Sequence, residues 1–533
     1  MERVSLLCIL LLSLINDVFG FEYAPTTFKS DTGDGLTYQL ISEENLEVSI
    51  SSCDWQDPYT THQVTIPTKV TYEGIEYTVT TIGVYAFRNC NIGDVIIPET
   101  VTTIEPYAFR SCIMSRVEIP ETVTNIGEGI FYGASLTSIK LPNNMTNIPK
   151  RAFSYTKKLY SIDIPKSVTT IRTEAFSNSS IKTFEISEYV NSIGDYAFEA
   201  TDITGIVIPE SVTDIGIGLF KDCKILTEVS LPSLGTSIPD ETFYGCKSLS
   251  SYKILPQITE IGASAFEGTG ITEINIPATV SNIGANAFNS CDSLTSLTFE
   301  EHPSPITFGD YVFGNCIALK ELTLPKQITG LNNNMFACCS KLTNIFVDPD
   351  NPVYTDIDGV VYNKDKTELI MLPSGRSQYE IPEGVTSIAD YACYSMERVS
   401  KITLPSSIER IGREAFYSLK WHVSGARIYC YSTTPPVADE NAFSSRVLYN
   451  FKLYIPKQSV ESYASTSPWN KFSKYDTVVV NSIHDVSSDV DFSQPQDVYN
   501  LNGVLILRNA SDANITTLPS GVYIIGGNKV IIR

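Results

Sequence analysis

A chain of 533 residues with 60 Asp+Glu against 38 Lys+Arg has a formal charge of −22, which excludes the basic footprint a nucleic-acid partner needs. The same balance argues against simple docking on anionic lipid and fits a soluble acidic surface. The four histidines, His62, His302, His422 and His484, lie far apart along the chain, which leaves no components for a His-based metal site or a His-assisted nucleophile.

In chain order, Met1-Glu2-Arg3 precede a nearly all-apolar run, Val4 to Ile15, too short to span a bilayer. Val18 and Gly20 fit a cleavage site before Phe21, so residues 1–20 are expected to be a secretory signal peptide. Cys8 lies too early for a lipoprotein site, and no other segment is long and apolar enough to cross a membrane. Residues 21–77 show alternating strands around Trp55.

From there one phrase returns fifteen times. Its clearest copies are Ile-Pro-Glu-Thr-Val-Thr-Thr-Ile-Glu-Pro-Tyr-Ala-Phe (Ile97 to Phe109) and Ile-Pro-Ala-Thr-Val-Ser-Asn-Ile-Gly-Ala-Asn-Ala-Phe (Ile276 to Phe288). The closing ring falls at Phe87, Phe109, Phe131, Phe153, Phe176, Phe198, Phe220, Phe243, Phe266, Phe288, Phe313 and Phe336, then Cys393 fills the slot before Phe416 and Phe443. A period of this size belongs to a solenoid, whose coils cannot bury their apolar residues alone and gain a core by stacking. Within a coil, Val229-Ser230-Leu231 alternates as a strand with one buried face, and Pro232 ends it because proline cannot donate to a parallel ladder. A second extended piece reaches Ile238. The glycine that often follows this isoleucine, as at Gly127 and Gly262, is read as a sharp bend. Ala-Phe is read as a short helical turn that drives the ring inward, a core spine rather than a ligand track.

Cys90, Cys112, Cys223, Cys246, Cys291, Cys316 and Cys339 each follow a ladder ring by three residues, where other coils carry Ala134, Thr156, Ser179, Thr201 and Thr269. A slot that accepts all four residue types wants a small packed side chain. Equivalent cysteines on stacked coils point the same way, which is poor geometry for bridging. A reduced structural ladder is therefore expected over a disulfide framework. Asp348 to Val353 and Asp356 to Gly359 lack the ligand pattern of a calcium loop and read as turns. No nucleophile elbow, phosphate loop or Cys-x-x-Cys pair occurs.

The pattern Leu-x-x-Val/Ile-x-Ile-Pro-x-x-Val-Thr-x-Ile-Gly-x-x-Ala-Phe-x-x-Cys, from Val64 to Ile455, resembles the BspA-type (Treponema pallidum type) leucine-rich repeat of bacterial surface proteins. The resemblance implies a β-rich solenoid over residues 78–475, with a parallel sheet on one face and short helical turns on the other. An N-terminal β cap (21–77), a hairpin insertion (347–373) and a closing cap (444–475, ending Trp469-Asn470-Lys471-Phe472) are similar to features of the same family. Residues 476–496, rich in Ser and Asp, read as a linker. Residues 497–533 resemble the C-terminal β-modules linked to sorting or attachment in Bacteroidetes.

The resemblance implies an exported protein, secreted or held at the cell surface, that binds macromolecules in the manner of an adhesin. Its partners would be host extracellular-matrix or plasma proteins or other cells. A passive structural surface component and a glycan-binding protein stand as alternatives. An enzyme is not expected, and no catalytic, cofactor or metal residue is assigned. Candidate partner contacts are the outward strand positions Arg116, Glu118, Lys140, Asp163, Glu228, Glu273 and Glu321, with His302 and Trp421 on loops that lengthen their coils.

Overall fold

Coils have three extended or turn segments, and most segments hydrogen-bond to their counterparts one coil away, which builds three ladders around the apolar core. The computed structural model describes residues 27–31, 33–55, 59–233, 235–301, 304–332, 334–395, 398–417, 425–478, 496–500, 504–510, 518, 521–525 and 528–532. The expected signal peptide, His302, Trp421 and nearly all of the expected linker lie outside these residues.

The spine is a column of rings. Neighbouring ladder phenylalanines from Phe87 to Phe336 stack coil on coil, for instance at 5.1 Å and 3° for Phe87–Phe109 and 5.6 Å and 3° for Phe176–Phe198. All lie in one apolar core that runs from Phe28 to Met371. A second core, Val360 to Phe472, begins at the hairpin Tyr354–Ile357 and Val360–Asn363, and carries Cys393 in the ring slot before Phe416 and Phe443 stack at 5.3 Å. Trp469 closes it, packed on Phe443 and donating its indole N–H to the Pro436 carbonyl at 2.8 Å.

The first ladder is the strand face, where short parallel strands pair in register, as Arg116–Glu118 does with Ser138–Lys140. The second consists of two-residue strands such as Thr170–Ile171 and Ser192–Ile193, whose isoleucines are buried. The glycine after this isoleucine is explained by crowding instead of bending. A Cβ on Gly127 would meet the Pro106 nitrogen at 2.3 Å, and one on Gly262 the Asp240 nitrogen at 2.5 Å, and neither glycine has a positive φ.

The third ladder refines the helical turns expected at Ala-Phe. The residues two before and two after the ring are left-handed in coil after coil, as at Tyr107 (φ 59°) and Ser111 (φ 54°), or Tyr196 (φ 55°) and Ala200 (φ 51°). Such a conformation costs an ordinary residue on the order of 1–2 kcal/mol. Here it turns alternate N–H groups toward the next coil: Tyr107, Phe109 and Ser111 donate to the carbonyls of Glu128, Ile130 and Tyr132 at 2.9, 3.0 and 2.7 Å. Hydrogen bonds between coils replace those within a helix.

The cysteine slot has a chemical reason. The thiols of Cys223, Cys246, Cys291, Cys316 and Cys339 donate to the ring residue's carbonyl one coil back, at 3.0–3.3 Å. Threonine in the slot donates to its own coil's carbonyl, as Thr201 does to Phe198 at 2.9 Å. Cys90 corrects the reduced-ladder expectation. It is bonded to Cys53 of the entry sheet, while its ladder neighbour Cys112 is free and donates to the Cys90 carbonyl at 3.1 Å. The geometric objection holds between stacked coils but not at the first coil, which faces the cap. There the crosslink is worth about 2–4 kcal/mol.

The final segment is a separate four-stranded antiparallel sheet in the order Leu505–Ala510, Gln496–Asn500, Gly521–Ile525, Asn528–Ile532. Val498, Ala510 and Ile525 form its small core.

A cleft in the strand face

Among the described residues the strand face is not one continuous sheet. It breaks into segments, and at two of the breaks an aromatic residue stands in the inward slot. The inward mid-strand position holds Val95, Val117, Ile139, Ile206, Val229 or Ile274 in paired coils. In three coils that form no strand it holds Ile162, Phe184 and Tyr252, while Tyr379 fills it in a coil that does pair. Phe184 wedges against Phe176 and Phe198 at 4.9 and 5.0 Å, and Tyr252 against Phe243 and Phe266 at 5.1 and 5.2 Å. At these two coils the ring adds volume against a close-packed spine, and the strand pairing is absent there. Burial pushes the Tyr252 phenol well above the usual tyrosine range.

Around Tyr252 the result is a cleft. Thr272 still donates its N–H to the Ser250 carbonyl at 3.0 Å, so the coils are in step up to that point. Beyond it, Glu228–Ser230 pairs only with Gly205–Val207, and Glu273–Ile276 only with Ser296–Phe299. Between them lie two adjoining hollows of about 450 and 540 Å³ that share Tyr252, Lys253 and Glu273. Glu228, Ser230 and Ser251 line the first; Asn275, Ser296, Thr298 and Glu300 line the second. The second wall is fixed in place: Thr298 donates to the Asn275 side chain at 2.9 Å, and Asn275 to Glu300 at 3.0 Å. Lys253, exposed at the centre, thus faces carboxylates on both sides.

The candidate residues divide accordingly. Glu228 and Glu273 meet in the cleft although 45 positions separate them. Glu118 and Lys140 are cross-strand partners joined in an ion pair on the exposed face, which holds the carboxyl below and the ammonium above their usual ranges. Arg116 and Glu321 are exposed at strand starts, away from the cleft. Asp163 is exposed, but its coil forms no strand, as is true of Glu185. His302 and Trp421 are not among the described residues. Sequence reading passed over Tyr252 and Lys253; the signal available was an aromatic residue in an aliphatic slot.

Stacked coils with a parallel strand face and a packed interior define a leucine-rich repeat solenoid, a scaffold class that generally binds proteins. The family model for the BspA type leucine-rich repeat region matches residues 80–202, 190–306, 259–375 and 375–467, and the chain belongs to that family. Its structure is similar to that of a leucine-rich repeat protein from Bacteroides ovatus, with 22% identity, 86% of this chain and all of that one covered, and a TM-score of 0.50, a likeness of fold. It also aligns with a leucine rich cell surface protein from Faecalibacterium prausnitzii (21% identity, 87% and 97% covered, TM-score 0.23). A further alignment is with the T. pallidum leucine-rich repeat protein (17% identity, 55% and 91% covered, TM-score 0.19). No functionally curated protein matches the sequence. No helix among the described residues is long and apolar enough to cross a membrane.

Proposed function

We propose that this protein is exported and displayed at the cell surface, where its strand face binds a macromolecular partner, a host extracellular-matrix or plasma protein or another cell. The observation that carries the reading is the mid-array cleft. A continuous sheet offers only a flat row of side chains, whereas the cleft offers depth, unpaired strand edges and charges of both signs held at fixed positions. Edges of this kind take up an extended segment of a protein partner through its main chain, and the carboxylates with Lys253 select its side chains. Arg116, Glu321 and the Glu118–Lys140 pair would extend the contact along the face. Residues 497–533 serve delivery to the surface rather than recognition.

Tyr252→Val tests the reading, because it restores the residue type that paired coils carry. Amides of Ser251 to Ile254 are expected to gain exchange protection as the sheet closes, and binding to immobilised host proteins to weaken by about tenfold or more. Glu228→Lys and Glu273→Lys weaken it without closing the sheet. Saturable binding that ignores all three substitutions would refute the cleft. No saturable binding to any host protein would favour a passive structural component.

A further inference from the structure

We propose a second binding surface at the far end of the strand face, distinct from the cleft, that takes an anionic polysaccharide. The terminal five-stranded segment runs in the order Gln378–Glu380, Lys401–Leu404, Arg427–Cys430, Lys452–Pro456, Tyr475–Val478. Its register sets Lys401, Arg427 and Lys452 side by side on three adjacent strands, a row of three cations on a chain of net charge −22. The next outward row, two residues on, holds Thr403, Tyr429 and Tyr454.

These groups are arranged as donors. The Tyr429 and Tyr454 rings stack at 4.5 Å and 11°. Their outer faces are taken by the ammonium groups of Lys401, 5.5 Å from the Tyr429 centroid, and Lys452, 5.2 Å from that of Tyr454. The rings therefore present hydroxyl edges. Glu380 and Asp476 steady the two lysines at 2.6 and 2.8 Å, pairs that at such exposure add little stability but fix direction. The Arg427 guanidinium, between them on an exposed residue, has no ion-pair or hydrogen-bond partner among the described residues. An open guanidinium, two phenol edges and two positioned ammonium groups call for a ligand rich in oxygen acceptors.

Spacing decides which anionic chain. The three cations are one strand apart, about 4.8 Å, along the array axis. An extended acidic peptide places same-face carboxylates two residues apart, roughly 6.6–6.8 Å, and falls out of step. An acidic glycan is not bound to that two-residue repeat, and its hydroxyls suit the two phenols. Carboxylated and sulfated sugars share this chemistry.

The test uses the full chain against polygalacturonate (carboxylated), heparin (sulfated), poly-L-glutamate and neutral dextran. Salt-sensitive retention on polygalacturonate, heparin or both is expected, and which one retains it identifies the anion. Arg427→Gln, which removes an exposed group that holds nothing in the fold, should weaken retention about tenfold or more. Arg116→Gln at the other end should leave it unchanged, as should Tyr252→Val, so this surface and the cleft fail independently. Poly-L-glutamate bound as tightly as either glycan, equal retention of the Arg427→Gln protein, or no retention on either acidic glycan would overturn the proposal.

Discussion

Replacing Phe198 by alanine tests whether the ring column carries the array's stability. Phe198 is fully buried and meets three other rings: Phe176 at 5.6 Å, Phe220 at 5.9 Å and Phe184 edge-on at 5.0 Å. Truncating a core phenylalanine costs about 3–5 kcal/mol, the spread reflecting how far neighbours collapse into the void. Collapse is restricted here, because coil spacing is fixed on both sides by main-chain bonds. Phe176 N–H donates to Ala197 O at 2.9 Å, and Phe198 N–H to Leu219 O at 3.1 Å. Aromatic pairs add about 0.5–1.5 kcal/mol each beyond their area, and three are lost. The cost is therefore set at the upper end, about 5 kcal/mol. Repeat arrays lose two-state behaviour when one interface weakens, so urea melting should be paired with amide exchange resolved along the chain. Protection should fall at the coils around Phe176 to Phe220 and persist at the caps. A loss below about 1 kcal/mol, or a uniform fall in protection, would show that the column is not the source of cohesion.

Thiol labelling of the folded protein should reach Cys338, which is partly exposed, and spare the eight buried thiols among the described residues until denaturation. Burial pushes Cys223 and Cys430 up to about 11 and Cys291 up to about 12, so little thiolate forms at neutral pH. Cys53 and Cys90 should label only after reduction. Glu174, held below the usual carboxylate range by its hydrogen bonds with Arg151, contributes stability above its unfolded pKa of about 4.3 that is lost as pH falls through the folded one. Glu174→Gln should lower stability at pH 7 by about 1 kcal/mol or less, and urea midpoints of variant and parent should converge in acid. Deleting residues 498–533 should leave solenoid folding and partner binding intact and abolish surface presentation; normal display of the truncated chain would reduce the segment to a cap.

The period and the register of the rings were legible because stacking imposes the same demand on every coil: one inward ring, one inward isoleucine and one small slot. What the sequence hid lies in contacts between coils. Tyr107, Glu174 and Ser264 share a left-handed slot with Gly129 and Gly218, but only the glycines signal it, since the others are held there by N–H groups that donate to the next coil. Gly127 reads like a bend because nothing in its own coil reveals the Pro106 backbone pressed against it. Cys53 lies outside the ladder, and reading Cys90 as one rung among seven concealed that the first rung has a cap for a neighbour.

The site is hidden for a different reason: its signal is a departure from the repeat, which the regular copies mask. Outward charges look like the chemistry of the face, yet many carboxylates are occupied by the fold. The glutamate after the coil's proline accepts main-chain N–H bonds from the next coil, Glu121 from Asn143 at 2.8 Å, Glu210 from Ser233 at 2.8 Å and Glu383 from Ser406 at 3.0 Å. The net charge of −22 is in part this scaffolding, so it says little about any one patch. What distinguishes positions on the face is where the repeat is violated. Tyr252 stands in an aliphatic slot where the sheet is open and Glu228, Glu273 and Lys253 line one hollow, and Tyr429 and Tyr454 put rings in outward positions beside three aligned cations. In a solenoid, conformity builds the core, and residues that break the pattern without breaking the core are free to carry recognition.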